Sequence, residues 1–280
     1  MVIIDAHAHI YSPDEYRYPA STFARRPSPG IGTLDHLQEV CRKNGVAAAC
    51  AIQTASFYGW DNRYLCDVSR SKHHGIVPIC SIDPEYPGGP ILLQHFVREY
   101  GIRGLRSLPT SYGQFDVPTV RQLWGAAAEL GIVVNVQGSR ENVEGLESLL
   151  RHYPDLPVVF EHSLSINNAI SKPATLDALR RLSRCPNAYA EISDMATIST
   201  VGYPFQDVHD LYLEIIEAFG APRCVWGSCF PTEFWVPHAS YEDQLRFVSE
   251  ALPLSPDVRR AILGETAQRL WFRSEDVPTV

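Results

Sequence analysis

No run of basic residues longer than a pair, such as Arg25-Arg26 or Arg259-Arg260, occurs anywhere in this 280-residue chain. Its 24 Lys and Arg are outnumbered by 32 Asp and Glu, for a formal charge of −8. Tracking a phosphate backbone requires clustered cations, so nucleic acid is excluded as a partner, and an anionic membrane surface with it. No apolar stretch approaches the roughly 20 residues that span a bilayer, because charges or prolines interrupt every candidate. The N-terminus has no basic region and Asp5 cuts its apolar run short, so no secretory signal is read and a cytoplasmic location is expected. The seven cysteines (41, 50, 66, 80, 185, 224 and 229) are an odd number without a Cys-x-x-Cys pair. That argues against both a disulfide framework and a zinc knuckle. There is no internal repeat and no low-complexity segment.

What is present is the make-up of a globular protein, 45% hydrophobic and 20% charged. Short β-rich apolar runs alternate with longer amphipathic stretches. The spacing predicts strands over 2–10, 46–53, 76–82, 102–108, 132–137, 157–162, 187–193 and 223–228. It predicts helices over 33–44, 61–74, 90–100, 118–130, 141–152, 174–184, 207–219, 241–252 and 257–271. Thr33 is the expected N-cap of the first helix, and Gly45, Gly75, Gly101 and Gly131 follow the ends of elements as stops. Eight consecutive β-α units fit a single (β/α)8 TIM barrel domain over 1–280. An open doubly wound sheet is disfavoured because the first strand leads into His7-Ala8-His9, not into a glycine-rich phosphate turn. The segment 11–32, rich in Pro, Ser, Arg and Tyr, is too long for a plain connector and is expected to be a lid over the barrel mouth.

In such a barrel the chemistry sits at the C-terminal ends of the strands. Period-two spacing places His7 and His9 on one side of the first strand, facing inward with Asp5 behind them, a pair suited to one divalent ion. The other ends offer Gln53, Asp83, Arg106, Gln137, His162, Glu191, Ser193 and Cys229. Three imidazoles, a guanidinium and a thiol around one mouth would each need a partner if the barrel were purely structural, so an enzyme is the economical reading. By parity Glu191 faces the mouth, Glu161 faces outward toward a helix, and Arg103 is a structural ion-pair partner. Glu233 and His238, in the loop after the eighth strand, are further candidates.

Five segments in order, Ile3-Ile4-Asp5-Ala6-His7-Ala8-His9-Ile10, Gly101-Ile102-Arg103-Gly104-Leu105-Arg106, Val158-Val159-Phe160-Glu161-His162, Val225-Trp226-Gly227-Ser228-Cys229-Phe230-Pro231 and residues 262–270, make the chain resemble the amidohydrolase superfamily. The nearer likeness is to its amidohydrolase-related branch, which includes sugar lactonases, pyrone-dicarboxylate and sulfomuconolactone hydrolases, and decarboxylases. The resemblance implies that His7 and His9 face a metal, that His162 lies beside it, and that Arg106 holds an anionic or carbonyl group of the substrate. Two departures stand out. Where binuclear members carry a strand-five histidine this chain has Gln137, which argues for at most one ion. Where the strand-eight motif reads Gly-Ser-Asp-x-Pro, with its Asp as base or ligand, this chain has Cys229. That cysteine is read as a fourth ligand beside His7, His9 and His162, as a nucleophile activated by His162, or as a lost base.

Aromatic residues in the loops (Tyr16, Tyr18, Phe23, Phe57, Tyr58, Trp60, Phe230, Phe234 and Trp235) suggest an apolar-walled pocket, with Gln53, Gln137 and Trp60 shaping it. The expected activity is hydrolysis of a lactone or related cyclic ester, carboxylate-bearing, by water attack on a polarised carbonyl. A decarboxylase of the same superfamily and an impaired barrel that only binds a small molecule are the alternatives. The expected cofactor is one divalent ion, zinc before manganese, with a metal-free site as the other option. The expected partner is a small-molecule substrate, with homo-oligomerisation left open.

Overall fold

A computed structural model describes residues 1–71, 73, 75–166, 172–273 and 276. Lys72 and His74, at the end of the expected helix 61–74, and the last few residues of the expected 1–280 domain lie outside the described residues. Eight parallel strands run in sequence order: β1 (Ile4–Ala8), β2 (Ala48–Ile52), β3 (Ile76–Ser81), β4 (Gly104–Ser107), β5 (Val133–Val136), β6 (Val158–Phe160), β7 (Ala188–Ile192) and β8 (Cys224–Trp226). The sheet closes just past β8, where Cys229 N–H donates to the His7 carbonyl at 2.9 Å and His9 N–H donates to the Phe230 carbonyl at 2.8 Å. The fold is a (β/α)8 barrel.

Every expected strand is found, trimmed at its ends. Helix 61–74 shrinks to Arg63–Arg70, and helix 241–252 is Tyr241–Arg246 continued by a π-helical turn, Phe247–Ala251. The Thr33 side chain caps Leu34–Lys43 by accepting from the His36 N–H at 3.2 Å. The sequence reading missed three one-turn helices, Ala55–Tyr58, Met195–Ile198 and Thr232–Trp235, and a left-handed turn, His162–Ser165. Four residues are too few for a 3.6-residue period to register. All four follow strand ends at the mouth. Among the described residues, no helix is long and apolar enough to cross a membrane.

Burial on both faces of the strands produces two cores. Ile4, Ala6, Cys50, Ile79, Val133 and Val225 fill the barrel interior. Ala8, Leu37, Ala49, Ala51, Trp124 and Leu149 pack between the strands and the outer helices. The segment 11–32 is tied over the mouth by its own aromatics: Tyr11, Tyr18 and Ala24 pack with Phe57, Tyr58 and Phe234. Ser12 N–H donates to the Tyr58 hydroxyl at 2.7 Å, and the Tyr18 hydroxyl donates to Asp67 at 2.7 Å. Tyr16 and Phe23 face solvent instead of walling a pocket, at 101% and 97% relative exposure.

Strand β1 departs from strict alternation. Asp5 is in register with Ala49 but Ala8 with Ala51, so three steps of β1 oppose two of β2. This bulge separates Asp5 from the histidines, contrary to the period-two reading. Asp5 turns to the outer layer, where its carboxyl accepts from the Ser228 hydroxyl at 2.6 Å, the Tyr241 hydroxyl at 3.0 Å, and the N–H groups of Ser228 and His7 at 2.9 and 3.0 Å. The group thus stitches β1, the β8 loop and helix Tyr241–Arg246 together. Burial pushes its pKa up to about 6, against the lowering effect of these hydrogen bonds.

The folded pKa lies above the unfolded one, so the Asp5 proton is retained on folding between the two values. Its contribution to stability therefore falls as pH rises from about 4 to 6 and is level above that. Asp5→Asn has no such titration. We expect the stability gap between wild type and Asp5→Asn, measured by urea unfolding, to shift by about 2 kcal/mol in favour of the variant between pH 4 and pH 7. A gap that does not change with pH would show that the carboxyl is ionised in both states.

Candidate active site

The mouth gathers three imidazoles within contact of one another. The rings of His7 and His9 lie 4.9 Å apart and those of His7 and His162 lie 4.5 Å apart, centre to centre. His9 Nδ1 donates to the Ile52 carbonyl at 2.9 Å, which leaves its Nε2 as a bare acceptor. His7 Nδ1 donates to Glu191 Oε2 at 3.0 Å, leaving its Nε2 bare as well. These two Nε2 atoms face each other at 3.2 Å. Two lone pairs so close repel unless a cation lies between them, and two imidazole nitrogens on one tetrahedral zinc stand roughly 3.3 Å apart. The pair therefore fits a divalent ion. Among the described residues the donor atoms of His7, His162 and Glu191 also fall within 4.8 Å of one another.

Burial drives all three histidines toward the neutral form that metals bind: His7 down to about 4, His9 well below the usual imidazole value, and His162 downward too. Glu191 is fully buried and holds the group in place. Its Oε1 accepts from the Ser193 hydroxyl at 2.5 Å and from the His162 N–H at 3.2 Å, while its Oε2 fixes the His7 tautomer. Gly227 is required beside it, because a Cβ there would stand 2.6 Å from the His7 Cβ.

The ends of β6, β7 and β8 each turn through a non-glycine residue in the left-handed region: His162 (φ 50°), Asp194 (φ 62°) and Cys229 (φ 55°). Such backbone costs energy and is held only by its surroundings. At β6 it also defeats the parity argument. Glu161 does not face outward: it is fully buried and pairs with Arg106, whose Nε donates to Oε1 at 3.1 Å and to Oε2 at 2.9 Å and whose Nη2 lies 2.8 Å from Oε2. Arg106 Nη1 donates to the Gln53 carbonyl at 3.2 Å.

The remaining residues divide between the cluster and its surroundings. Cys229 is buried with its Sγ 3.5 Å from His162 Nδ1, and burial together with the nearby Asp194, Glu191 and Asp5 carboxyls raises its thiol well above the ordinary cysteine value. It reaches the ring but, like His9, is not among the convergent donor atoms of His7, His162 and Glu191. The Gln53 side chain turns away and donates to the Gly59 and Asp61 carbonyls, 2.8 and 3.2 Å, bracing the second loop. Gln137 is half-buried at its strand end, with its N–H donated to the Ser107 carbonyl at 3.1 Å. Trp60 is not brought to the histidines: it lines a separate groove of about 410 Å³ with Arg17, Tyr18 and Tyr100. Glu233 reaches toward His36 at 3.7 Å and His238 is exposed. Trp235, by contrast, stands 6.2 Å from the His9 ring. Arg103 pairs with Asp276 at 3.4 Å.

The sequence profile of the family described as amidohydrolase matches residues 4–273. The chain belongs to the amidohydrolase family. A curated relative, the L-fucono-1,5-lactonase of Burkholderia ambifaria, is 23% identical over 274 residues, covering 94% of this chain and 93% of its own. A Pseudomonas putida protein described as a 2-pyrone-4,6-dicarboxylic acid hydrolase superposes with a TM-score of 0.79 at 20% identity, over 96% of this chain and 97% of that one. A zinc-bound amidohydrolase from Burkholderia multivorans superposes with a TM-score of 0.74 at 20% identity, over 99% and 100%. This amidohydrolase chain is an enzyme of hydrolase type.

If His7 and His9 hold the ion and Cys229 does not, elemental analysis after zinc loading and gel filtration will find zinc in Cys229→Ser but not in His7→Ala. Loss of zinc from Cys229→Ser would make the thiol a ligand.

Proposed function

We propose that the protein opens the ring of a lactone by adding water to its carbonyl. The observation that carries this reading is the facing pair of bare Nε2 atoms on His7 and His9, 3.2 Å apart, with His162 alongside. A divalent ion held by His7 and His9 supplies Lewis-acid polarisation of the substrate carbonyl when bound. The protein's own groups supply the rest.

The Ser193 hydroxyl donates a hydrogen bond to Glu191, so its oxygen accepts from His162 Nδ1 at 3.0 Å. That relay fixes the His162 tautomer with Nδ1 protonated and Nε2 open. Nε2 then takes the proton of the attacking water and returns it to the ring oxygen as the C–O bond breaks, and the product is the open-chain hydroxy acid. His162 thereby fills the base role left vacant by Cys229, whose neutral thiol suits neither nucleophilic attack nor proton abstraction. Glu191 and Ser193 are positioning residues. Trp235 and the lid cluster screen the cleft from bulk water.

The test is acid release from a panel of lactones, followed by a pH indicator over the spontaneous rate. His162→Asn should lower kcat by roughly 10²–10⁴-fold with little change in KM, while Cys229→Ser should stay within about tenfold of wild type. A collapse of activity in Cys229→Ser with His162→Asn near wild type would transfer the chemistry to the thiol. CO₂ evolution from a carboxylated substrate without ring opening would make the enzyme a decarboxylase. Binding without turnover by the metal-loaded protein would leave only the impaired-barrel alternative.

A further inference from the structure

The barrel interior holds a row of polar side chains, two of which the chemistry above leaves without a task. Ser81 on β3, Arg106 on β4 and Asn135 on β5 are in register with one another. Ile79 and Val133 pack in the interior core, whereas Cys80, Leu105 and Val134 pack against the outer helices. By alternation the whole row points into the barrel, on neighbouring strands about 4.8 Å apart.

Ser81 and Asn135 are fully buried, and among the described residues Ser81 Oγ, Asn135 Oδ1 and Asn135 Nδ2 have no hydrogen-bond partner. A hydroxyl and an amide so placed cost folding energy that apolar side chains of the same shape would not. Arg106, between them, is only partly satisfied. Its Nε and Nη2 face Glu161 and its Nη1 donates to the Gln53 carbonyl, so of the five guanidinium N–H groups one on each Nη stays open. The row belongs to the cleft, because the Arg106 charge is near enough to disfavour protonation of His7, His9 and His162. His7 is itself fully buried, so burial does not set the row apart from the histidines.

We infer that Asn135 and Ser81 are substrate-contacting, specificity-determining residues that join the open N–H groups of Arg106 in one seat for an oxygen-bearing substituent of the substrate, a hydroxyl or a carboxylate. For the ring that carries the substituent, the inference rests on the lactone-opening reading. Polar atoms that weaken the fold are kept because their partner arrives with the substrate, and a ring without the substituent leaves them unpaired and binds less well.

The experiment measures stability and specificity together in the zinc-loaded full chain. Three six-membered rings serve as probes: δ-valerolactone without a substituent oxygen, D-glucono-δ-lactone with hydroxyls, and 2-pyrone-4,6-dicarboxylate with carboxylates. By calorimetry, wild type should bind one of the substituted rings roughly tenfold or more tighter than δ-valerolactone, and the ring it prefers identifies the substituent. Asn135→Leu should narrow that ratio by roughly tenfold while unfolding at the same or a higher urea concentration. Ser81→Ala, a smaller cut, should move both readouts in the same direction. A lower urea midpoint in both variants makes the two residues structural, as ligands of buried water, and overturns the inference. So does a wild type that binds the three rings equally, or an Asn135→Leu variant that loses all three equally. A ratio that narrows as expected although wild type opens no ring overturns the lactone-opening reading and leaves this one standing. Binding of none of the three overturns both.

Discussion

The closure of β8 onto β1 is the contact on which the site depends. Two backbone hydrogen bonds make it, Cys229 N–H to the His7 carbonyl and His9 N–H to the Phe230 carbonyl. The residues that seal the barrel are thus the same ones that present imidazoles and the thiol to its mouth. Asp5 locks this seam from behind through Ser228 and Tyr241, and Gly227 gives His7 the room to stand beside Glu191. A loosened seam would shift His7 and His9 together, so the barrel's integrity and the spacing of its two bare nitrogens are one property.

Polar groups at the mouth are satisfied in an ordered hierarchy. Glu191 spends both oxygens, on His7 and on the Ser193–His162 pair, and thereby sets two tautomers at once. Arg106 and Glu161 cancel each other beneath the cleft. The imidazoles of His7 and His9 keep bare Nε2 atoms. Charge has been paired inward and lone pairs left outward, which is the arrangement a Lewis acid requires.

Most of the barrel was legible in the sequence because eight buried strands and their amphipathic helices repeat with clear periods and glycine stops. The His7-x-His9 pair, His162 and Cys229 were legible as strand-end residues for the same reason. The errors came where alternation fails. The β1 bulge turned Asp5 to the other face, and the left-handed backbone after Phe160 swung Glu161 inward to Arg106. Trp60 was misplaced because a loop residue has no period to constrain it. A signal for Glu161 did exist: an inward Arg106 on a strand buried on both faces demands a carboxylate within reach.

The lid over the mouth is not a free-standing flap. Its backbone meets the second loop at Ser12–Tyr58 and Ser21–Phe57, its Tyr18 reaches Asp67 on the following helix, and its Arg25 caps Phe234 from the eighth loop. Three segments far apart in the chain therefore form one roof. A recombination that transplanted 11–32 alone from a relative would bring half of an aromatic interface without its complement, so divergence of the roof must proceed by correlated change in all three loops.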